Sequence, residues 1–306
     1  MKLQPAEIIL CGLDGANPLA FLAALGVLRA ASDSGLERPR LSWRSQGAWR
    51  PVLHLPAAVS ADDLIAQLHR QLAAAARNPA LDIGDDLAIG PAVWRAAAQA
   101  AVVARDMLAA DFLAAFGCDA LVDEKGLIRS TALCMMSGAG HQHFLKGMRD
   151  ILSSVQPNHL HKALFAPWRY DDPLQRLSLR LDPLDDRRYA LRRDDPKEAR
   201  TRERGNMLGA NSLAALGMSL LPALPVAGTL ETTGFRGQRR NDRRWTWPIW
   251  GVPLALDSIR SVLALPELQM DTPSREKLAG LGIVEVLRSR RIAVDRYLNF
   301  TPAHPV

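Results

Sequence analysis

The sequence predicts an α+β protein: a candidate ferredoxin-like unit at the N-terminus, a helical middle, and a C-terminal α+β layer with arginine-rich loops. Three observations carry this. Near the start, apolar periodicity alternates between strand and helix in the order strand, helix, strand, strand, helix, further strand. Residues 91–116 follow one helical pattern with alanine-rich faces. After residue 165, short alternating runs are interrupted by prolines and arginine clusters. The boundaries predicted are 1–90, 91–165 and 166–306, as separate units or as one compact unit.

Taken in order, Glu7 to Leu13 is a short apolar run that predicts a central strand. Asn17-Pro18 places a capping side chain before a proline at the first helical position, so a helix follows over Leu19 to Ser32. Gly26 within it allows another backbone to approach closely. Leu41 to Arg44 and Pro51 to Leu55 predict two strands around a Gln46-Gly47 turn. Ser60-Ala-Asp-Asp opens a helix through Ala76, with the early acids complementing its dipole. Leu81 to Ile89 supplies the sixth element, a strand.

The helix over 91–116 starts at Pro91 and places Trp94, Ala97, Ala101, Ala104, Leu108, Phe112 and Phe116 on one face. Thr131 to Met136 reads as a buried strand, Ser137-Gly-Ala-Gly as a tight turn, and His141 to Leu152 as a helix. A glycine turn opening a helix presents backbone N–H groups to an anion. With Lys146 one turn in, this is a candidate phosphate contact, alongside plain strand-to-helix packing.

Leu177, Leu179 and Leu181 alternate with Ser178 and Arg180 as in a half-buried strand, which Asp182-Pro183 ends. From Arg187 to Gly205, Arg187, Arg188, Arg192, Arg193, Lys197, Arg200, Arg202 and Arg204 oppose only Asp194, Asp195, Glu198 and Glu203. Gly209 to Leu221 predicts an apolar helix, capped near Asn211 or Ser212 and ended by Pro222. Val226 to Phe235 reads as one strand. Arg236, Arg239, Arg240, Arg243 and Arg244 follow against Asp242 alone. Trp245 and Trp247 alternate behind them, so this loop is predicted to be a hairpin tip. A helix over Leu254 to Leu263, a final strand carrying Arg288, Arg290 and Arg291, and a surface extension at Asn299-Phe-Thr-Pro complete the chain.

The composition narrows the classes. The chain has 306 residues, 48% apolar, with a formal charge of +6, enough for a sizeable core. The basic excess concentrates after residue 165, which points to a polyanion, nucleic acid or membrane surface, or to a solvated arginine-rich face. Aromatics are only 6%, and no RNP-type aromatic motif is present. Cys11, Cys118 and Cys134 lack any CxxC or Cys/His spacing and read as buried reduced thiols of a cytoplasmic protein. The start carries Glu7 and no signal-peptide core, and no apolar run reaches membrane-spanning length, so no membrane association is predicted. His141 and His143, with His159 and His161, show no HExxH pattern, so local capping is preferred to a metal site, and no cofactor or metal is predicted.

Several stretches resemble proteins of CRISPR subtype I-G, formerly I-U. Pro18-Leu-Ala-Phe-Leu-Ala-Ala-Leu-Gly-Val-Leu-Arg resembles the opening of the Csx-type large subunit. Ser137-Gly-Ala-Gly-His-Gln-His-Phe-Leu, Asp182-Pro with Asp185-Asp-Arg-Arg-Tyr-Ala-Leu-Arg, Gly209-Ala-Asn-Ser-Leu-Ala-Ala-Leu-Gly and Trp247-Pro-Ile-Trp with Leu256-Asp-Ser-Ile-Arg-Ser-Val-Leu resemble the smaller Csb-type protein, whose length also fits. The resemblance implies a subunit or accessory of an RNA-guided DNA-targeting complex (a Cascade-type effector in antiviral defence) without nuclease chemistry of its own.

The reading that follows is a non-catalytic nucleic-acid-binding subunit contacting guide RNA or target DNA, together with other CRISPR-associated subunits. Its candidate contacts are Arg187, Arg188, Arg192, Arg193, Arg236, Arg239, Arg240, Arg243, Arg244 and Lys146, because cations at phosphates need no catalytic constellation. Two alternatives stand beside it. One is a metal-dependent nuclease or hydrolase using Asp171, Asp172, Asp182, Asp185 and Asp186. The other is a protein–protein scaffold whose arginines pair with an acidic partner.

Overall fold

The structure, a computed structural model, describes residues 6–135, 143–172, 177–184, 205–237, 243–294 and 297–306. It is α+β, with helices set against small antiparallel sheets. The first sheet holds β1 (Ala6–Ile9), β2 (Arg40–Ser45) and β3 (Trp49–Leu55) in the order β1-β3-β2. Between and after them come α1 (Pro18–Asp33) and α2 (Ala61–Ala75). The predicted caps are in place: Asn17 Oδ1 accepts from Leu19 N at 2.9 Å, and Ser60 Oγ accepts from Asp63 N at 3.1 Å.

This is the strand order of the first three strands of a ferredoxin-like unit, but β1 lies at the sheet edge and the predicted fourth strand is not formed. Residues 81–89 are a 3-10 turn followed by a loop. Arg149, from a later helix, donates to the carbonyls of Leu81 and Gly84 and pairs with Asp85 at 2.8 Å, so this stretch bonds to a side chain rather than to a strand. The predicted helix over 91–116 is likewise two, α3 (Pro91–Ala104) and α4 (Met107–Phe116). Arg105 takes a left-handed φ of 54°, and Asp106 caps the second helix by accepting from Ala109 N at 2.9 Å. A carboxylate at that position favours starting a new helix over continuing the old one.

After α5 (Phe144–Ser154) and α6 (Pro157–Phe165) comes α7 (Leu208–Gly217). Helices α1 and α7 cross inside the protein, and every residue of α7 is buried. Space at the crossing is set by two glycines. A Cβ on Gly26 would overlap the Leu213 carbonyl and lie 3.2 Å from Gly217 N; one on Gly217 would overlap the Leu22 carbonyl. The close approach expected of Gly26 is therefore met by a second glycine on the partner helix.

The C-terminal region comprises β4 (Ala223–Val226), β5 (Thr229–Thr232), β6 (Phe235–Arg236), β7 (Arg244–Trp250), α8 (Leu256–Leu263), α9 (Arg275–Ala279), β8 (Ile283–Val294), β9 (Tyr297–Phe300) and β10 (His304–Pro305). Its main sheet runs β10-β8-β7-β6, with β9 also pairing β8. The single strand predicted over Val226 to Phe235 is broken at Ala227-Gly228, where both residues have positive φ and fold β4 back on β5. The predicted surface extension at Asn299 is strand β9, with Phe300 buried against Trp245 at 5.8 Å. Thr131–Met135 forms no strand, and Met136 lies outside the described residues.

Leu177–Leu181 is not a strand either, although Leu179 and Leu181 are buried as the alternation requires. Side chains replace a neighbouring strand: Leu179 N donates to Asn211 Oδ1 at 2.8 Å, and Asn206 Nδ2 donates to Leu177 O at 2.9 Å. Arg180, at φ 58°, breaks the extended run. Asn211 is thus a bridge from within α7 rather than the cap of that helix.

One continuous core takes residues from all three stretches, from Leu10 through Phe112 and Leu160 to Phe300. Phe21 of α1 stacks on Trp43 at 5.6 Å and meets Trp247 at 5.7 Å. Trp247 Nε1 donates to Gly15 O at 2.9 Å and Trp250 Nε1 to Leu41 O at 2.7 Å, so the two sheets share buried indoles whose polar atoms are satisfied. Burial disfavours the charge on Arg29, but Asp33 and Asp111 outweigh it and hold the guanidinium firmly protonated. Arg260 of α8 grips the same Asp111 at 2.7 and 3.0 Å, tying α4 to α1 and α8. Of the cysteines, Cys134 is buried, but Cys11 is exposed, contrary to expectation.

Because backbone atoms block any Cβ at the crossing, Gly26→Ala and Gly217→Ala are each expected to cost about 3 kcal/mol of stability. Urea titration at unchanged slope measures this; an unmoved midpoint would show that the two helices separate freely.

Candidate functional site

The second arginine cluster lies in a hairpin, as the tryptophan alternation predicts. β6 and β7 pair antiparallel, with Phe235 opposite Trp245 and Arg236 opposite Arg244. Trp245 and Trp247 are buried and anchor the hairpin in the core. Arg239 and Arg240 lie outside the described residues, as do Arg187, Arg188, Arg192 and Arg193 of the first cluster.

The flanks of the first cluster are held by two buried carboxylates. Asp182 accepts from Asn17 Nδ2 at 3.0 Å and from the Tyr170 hydroxyl at 2.9 Å. Asp172 accepts from Leu208 N at 2.9 Å, capping α7 from outside its own helix, and bridges to Asn206 through paired backbone bonds of 3.1 and 3.3 Å. Pro183, ahead of the first cluster in the sequence, and Arg243, within the second, both bond to the β8–β9 pair. Asn299 Nδ2 of β9 donates to Pro183 O at 3.4 Å, and Arg291 N of the adjoining β8 donates to Arg243 O at 2.8 Å.

A cleft of about 170 Å³ opens beside the hairpin. Arg236 and Arg243 line it, joined by Arg129, Ser130, Phe235 and residues 229–232 of β5. The 129–132 stretch is fixed against β5 because Thr131 Oγ1 meets Thr232 Oγ1 at 3.0 Å and Ala132 N donates to the same hydroxyl at 3.0 Å. Arg129 donates from Nε to Val122 O at 3.2 Å and from Nη1 to Gly228 O at 3.0 Å. Arg236 Nη1 pairs with Glu231 at 2.9 Å. Among the described residues Arg243 reaches only the Gly237 carbonyl, at 3.4 Å, and burial lowers its pKa. Among the described residues, three guanidinium groups and one carboxylate therefore share one recess.

Other predicted contacts are elsewhere. Arg244 does not line the cleft; it pairs with Asp271 at 2.9 Å. The expectation that Asp242 alone serves this loop is corrected, since Glu231 and Asp271 reach Arg236 and Arg244 from other segments. Lys146 pairs with Asp150 one turn along α5 at 2.6 Å. The Ser137-Gly-Ala-Gly turn expected to cradle a phosphate lies outside the described residues; at the start of α5, Phe144 N donates to Asp86 Oδ1 at 3.3 Å and Lys146 N to Asp85 O at 2.9 Å. Arg129 was not singled out from the sequence, where an arginine between Ile128 and Ser130 carries no distinguishing signal.

The acids of the nuclease alternative have structural partners. Asp171 pairs with Lys162 at 3.1 Å, and Asp172 and Asp182 make the caps and anchors described above; Asp185 and Asp186 lie outside the described residues. Among the described residues no group of three His, Cys, Asp or Glu side chains is placed to hold a metal ion. His159 accepts from Gln156 N at 3.1 Å, a local capping role, while His141 lies outside the described residues. No helix among the described residues is long and apolar enough to cross a membrane. No protein-family model matches the chain, and neither does any curated protein.

Arg288 shows how an arginine of this region acts structurally. It is buried on β8 and donates to Thr246 Oγ1 at 3.0 Å, Asp271 O at 3.1 Å and Met270 O at 2.6 Å. Burial lowers its pKa, and the nearby Arg244 adds to that. Arg288→Ala is expected to lower stability by about 3 kcal/mol, since it strands buried acceptors, while Arg244→Ala changes it by less than about 1 kcal/mol. Thermal melts of the two variants side by side check this; equal melting temperatures would contradict the assignment.

Proposed function

We propose that this chain binds nucleic acid as a non-catalytic subunit, acting in the cytoplasm within a CRISPR type I (I-G) RNA-guided effector complex. The observation that carries the reading is the cleft of Arg129, Arg236 and Arg243, in which three guanidinium groups face a single carboxylate. Guanidinium forks match phosphate oxygens, and a recess with excess positive charge lowers the free energy of an anion that enters it. In sequence, further arginines stand between Leu184 and Gly205 and at Arg239 and Arg240, which adds to the cationic character of the chain. In such complexes pairing reads sequence, while the protein holds the backbone, so binding is expected to be insensitive to sequence.

Fluorescence anisotropy with single-stranded RNA of unrelated sequences tests this across a salt series. Log K is expected to fall linearly with log salt, and the combined change Arg129→Ala, Arg236→Ala and Arg243→Ala to make the slope shallower by about 2. A flat salt response, or binding confined to an acidic protein partner, would reject the nucleic-acid reading. Metal-dependent cleavage of the RNA by the pure protein would reject its non-catalytic part.

A further inference from the structure

We infer that the cleft of Arg129, Arg236 and Arg243 is a pocket for the terminal phosphate monoester of a single-stranded nucleic acid. The inference rests on the nucleic-acid reading above and makes it specific to one group of the ligand.

The recess, about 170 Å³, is small and concave. A duplex presents its phosphates as an array along the outside of a stiff rod, so it meets the exposed Arg236 at the rim but does not bring a phosphate to the half-buried Arg243. The end of a single strand can enter such a recess. Charge then separates an end from a passing linkage. The three arginines and Glu231 sum to +2, which matches a phosphate monoester carrying close to −2 near neutral pH; an internal diester carries −1.

The hydrogen-bonding capacity agrees. Each guanidinium has five N–H donors. Arg129 uses Nε and Nη1 on carbonyls, Arg236 uses Nη1 on Glu231 and Phe235 O, and Arg243 uses only Nε. Nη2 of all three is without a protein acceptor among the described residues, and a terminal phosphate has the oxygens to accept from three directions. The carboxylate of Glu231 keeps Arg236 oriented at the rim.

The test compares one single-stranded RNA, of one sequence and length, carrying a 5′-phosphate, a 3′-phosphate or neither. The phosphorylated end that fits is expected to bind roughly tenfold tighter than the unphosphorylated strand. That advantage should shrink as pH falls from about 7.5 to about 5.5, because the monoester gains a proton near pH 6 while the arginines stay charged. Arg243→Gln and Arg129→Gln should each remove the advantage while leaving weaker binding of the unphosphorylated strand; Arg275→Gln, remote from the cleft, should preserve it. Arg129 is exposed, so its variant tests the pocket even if Arg243→Gln misfolds. Equal affinity for phosphorylated and unphosphorylated strands would overturn this inference and leave the broader reading standing. Failure of every strand to bind would overturn both. Inorganic phosphate or a phosphoserine peptide binding as tightly as the phosphorylated strand would show that the pocket takes phosphate from another source, and would overturn the assignment to a strand end.

Discussion

The crossing of α1 and α7 at Gly26 and Gly217 is the constraint on which the rest of this structure depends. Two buried helices in backbone contact leave no room for side chains between them, so the interface is held by close packing and is intolerant of any added atom. Both helices are buried almost throughout, and the sheets and remaining helices are layered around them. A single polar exception on α1, Arg29, is tolerated because Asp33 and Asp111 neutralise it.

The same pair positions the basic region. Asn17, the cap of α1, also donates to Asp182; Asp172 caps the start of α7. Asp182 holds the chain just before the stretch 185–204, and Asp172 holds it just after, at Asn206 and Leu208, so the chain leaves and returns at points set by the N-termini of the crossing helices. Carboxylates there satisfy orphan N–H groups and complement the helix dipoles. That role accounts for aspartates which, in sequence, resemble metal ligands.

Arginines here divide into two kinds according to where their acceptors come from. Arg288 and Arg29 are buried and paired within the protein, Arg244 is paired at the surface, and each is explained by structure alone. Among the described residues Arg129 and Arg243 meet no carboxylate while lining a recess. Counting charges along the chain could not make this division, because Asp271 and Asp111 reach their partners from distant segments and Glu231 from the neighbouring strand.

What the sequence determined by itself were features with a local cause. The α+β class, the Asn17 and Ser60 caps, the β2–β3 hairpin, the close approach at Gly26 and the hairpin of Arg236 to Arg244 follow from capping chemistry, steric freedom and periodicity within a few residues. Tertiary structure decided whatever depended on a distant partner. Leu177, Leu179 and Leu181 alternate as in a strand, yet Asn206 bonds the Leu177 carbonyl, Asn211 bonds Leu179 N, and no strand forms. Residues 81–89 become a loop because Arg149 takes their carbonyls, and Asn299 lies in a strand because β8 runs long enough to pair with it. The cleft unites Arg129 with Arg243, more than a hundred residues apart, through a hydroxyl contact between Thr131 and Thr232 that no local pattern encodes. Periodicity reports which face of an element is apolar; only the folded chain determines which acceptor a donor meets.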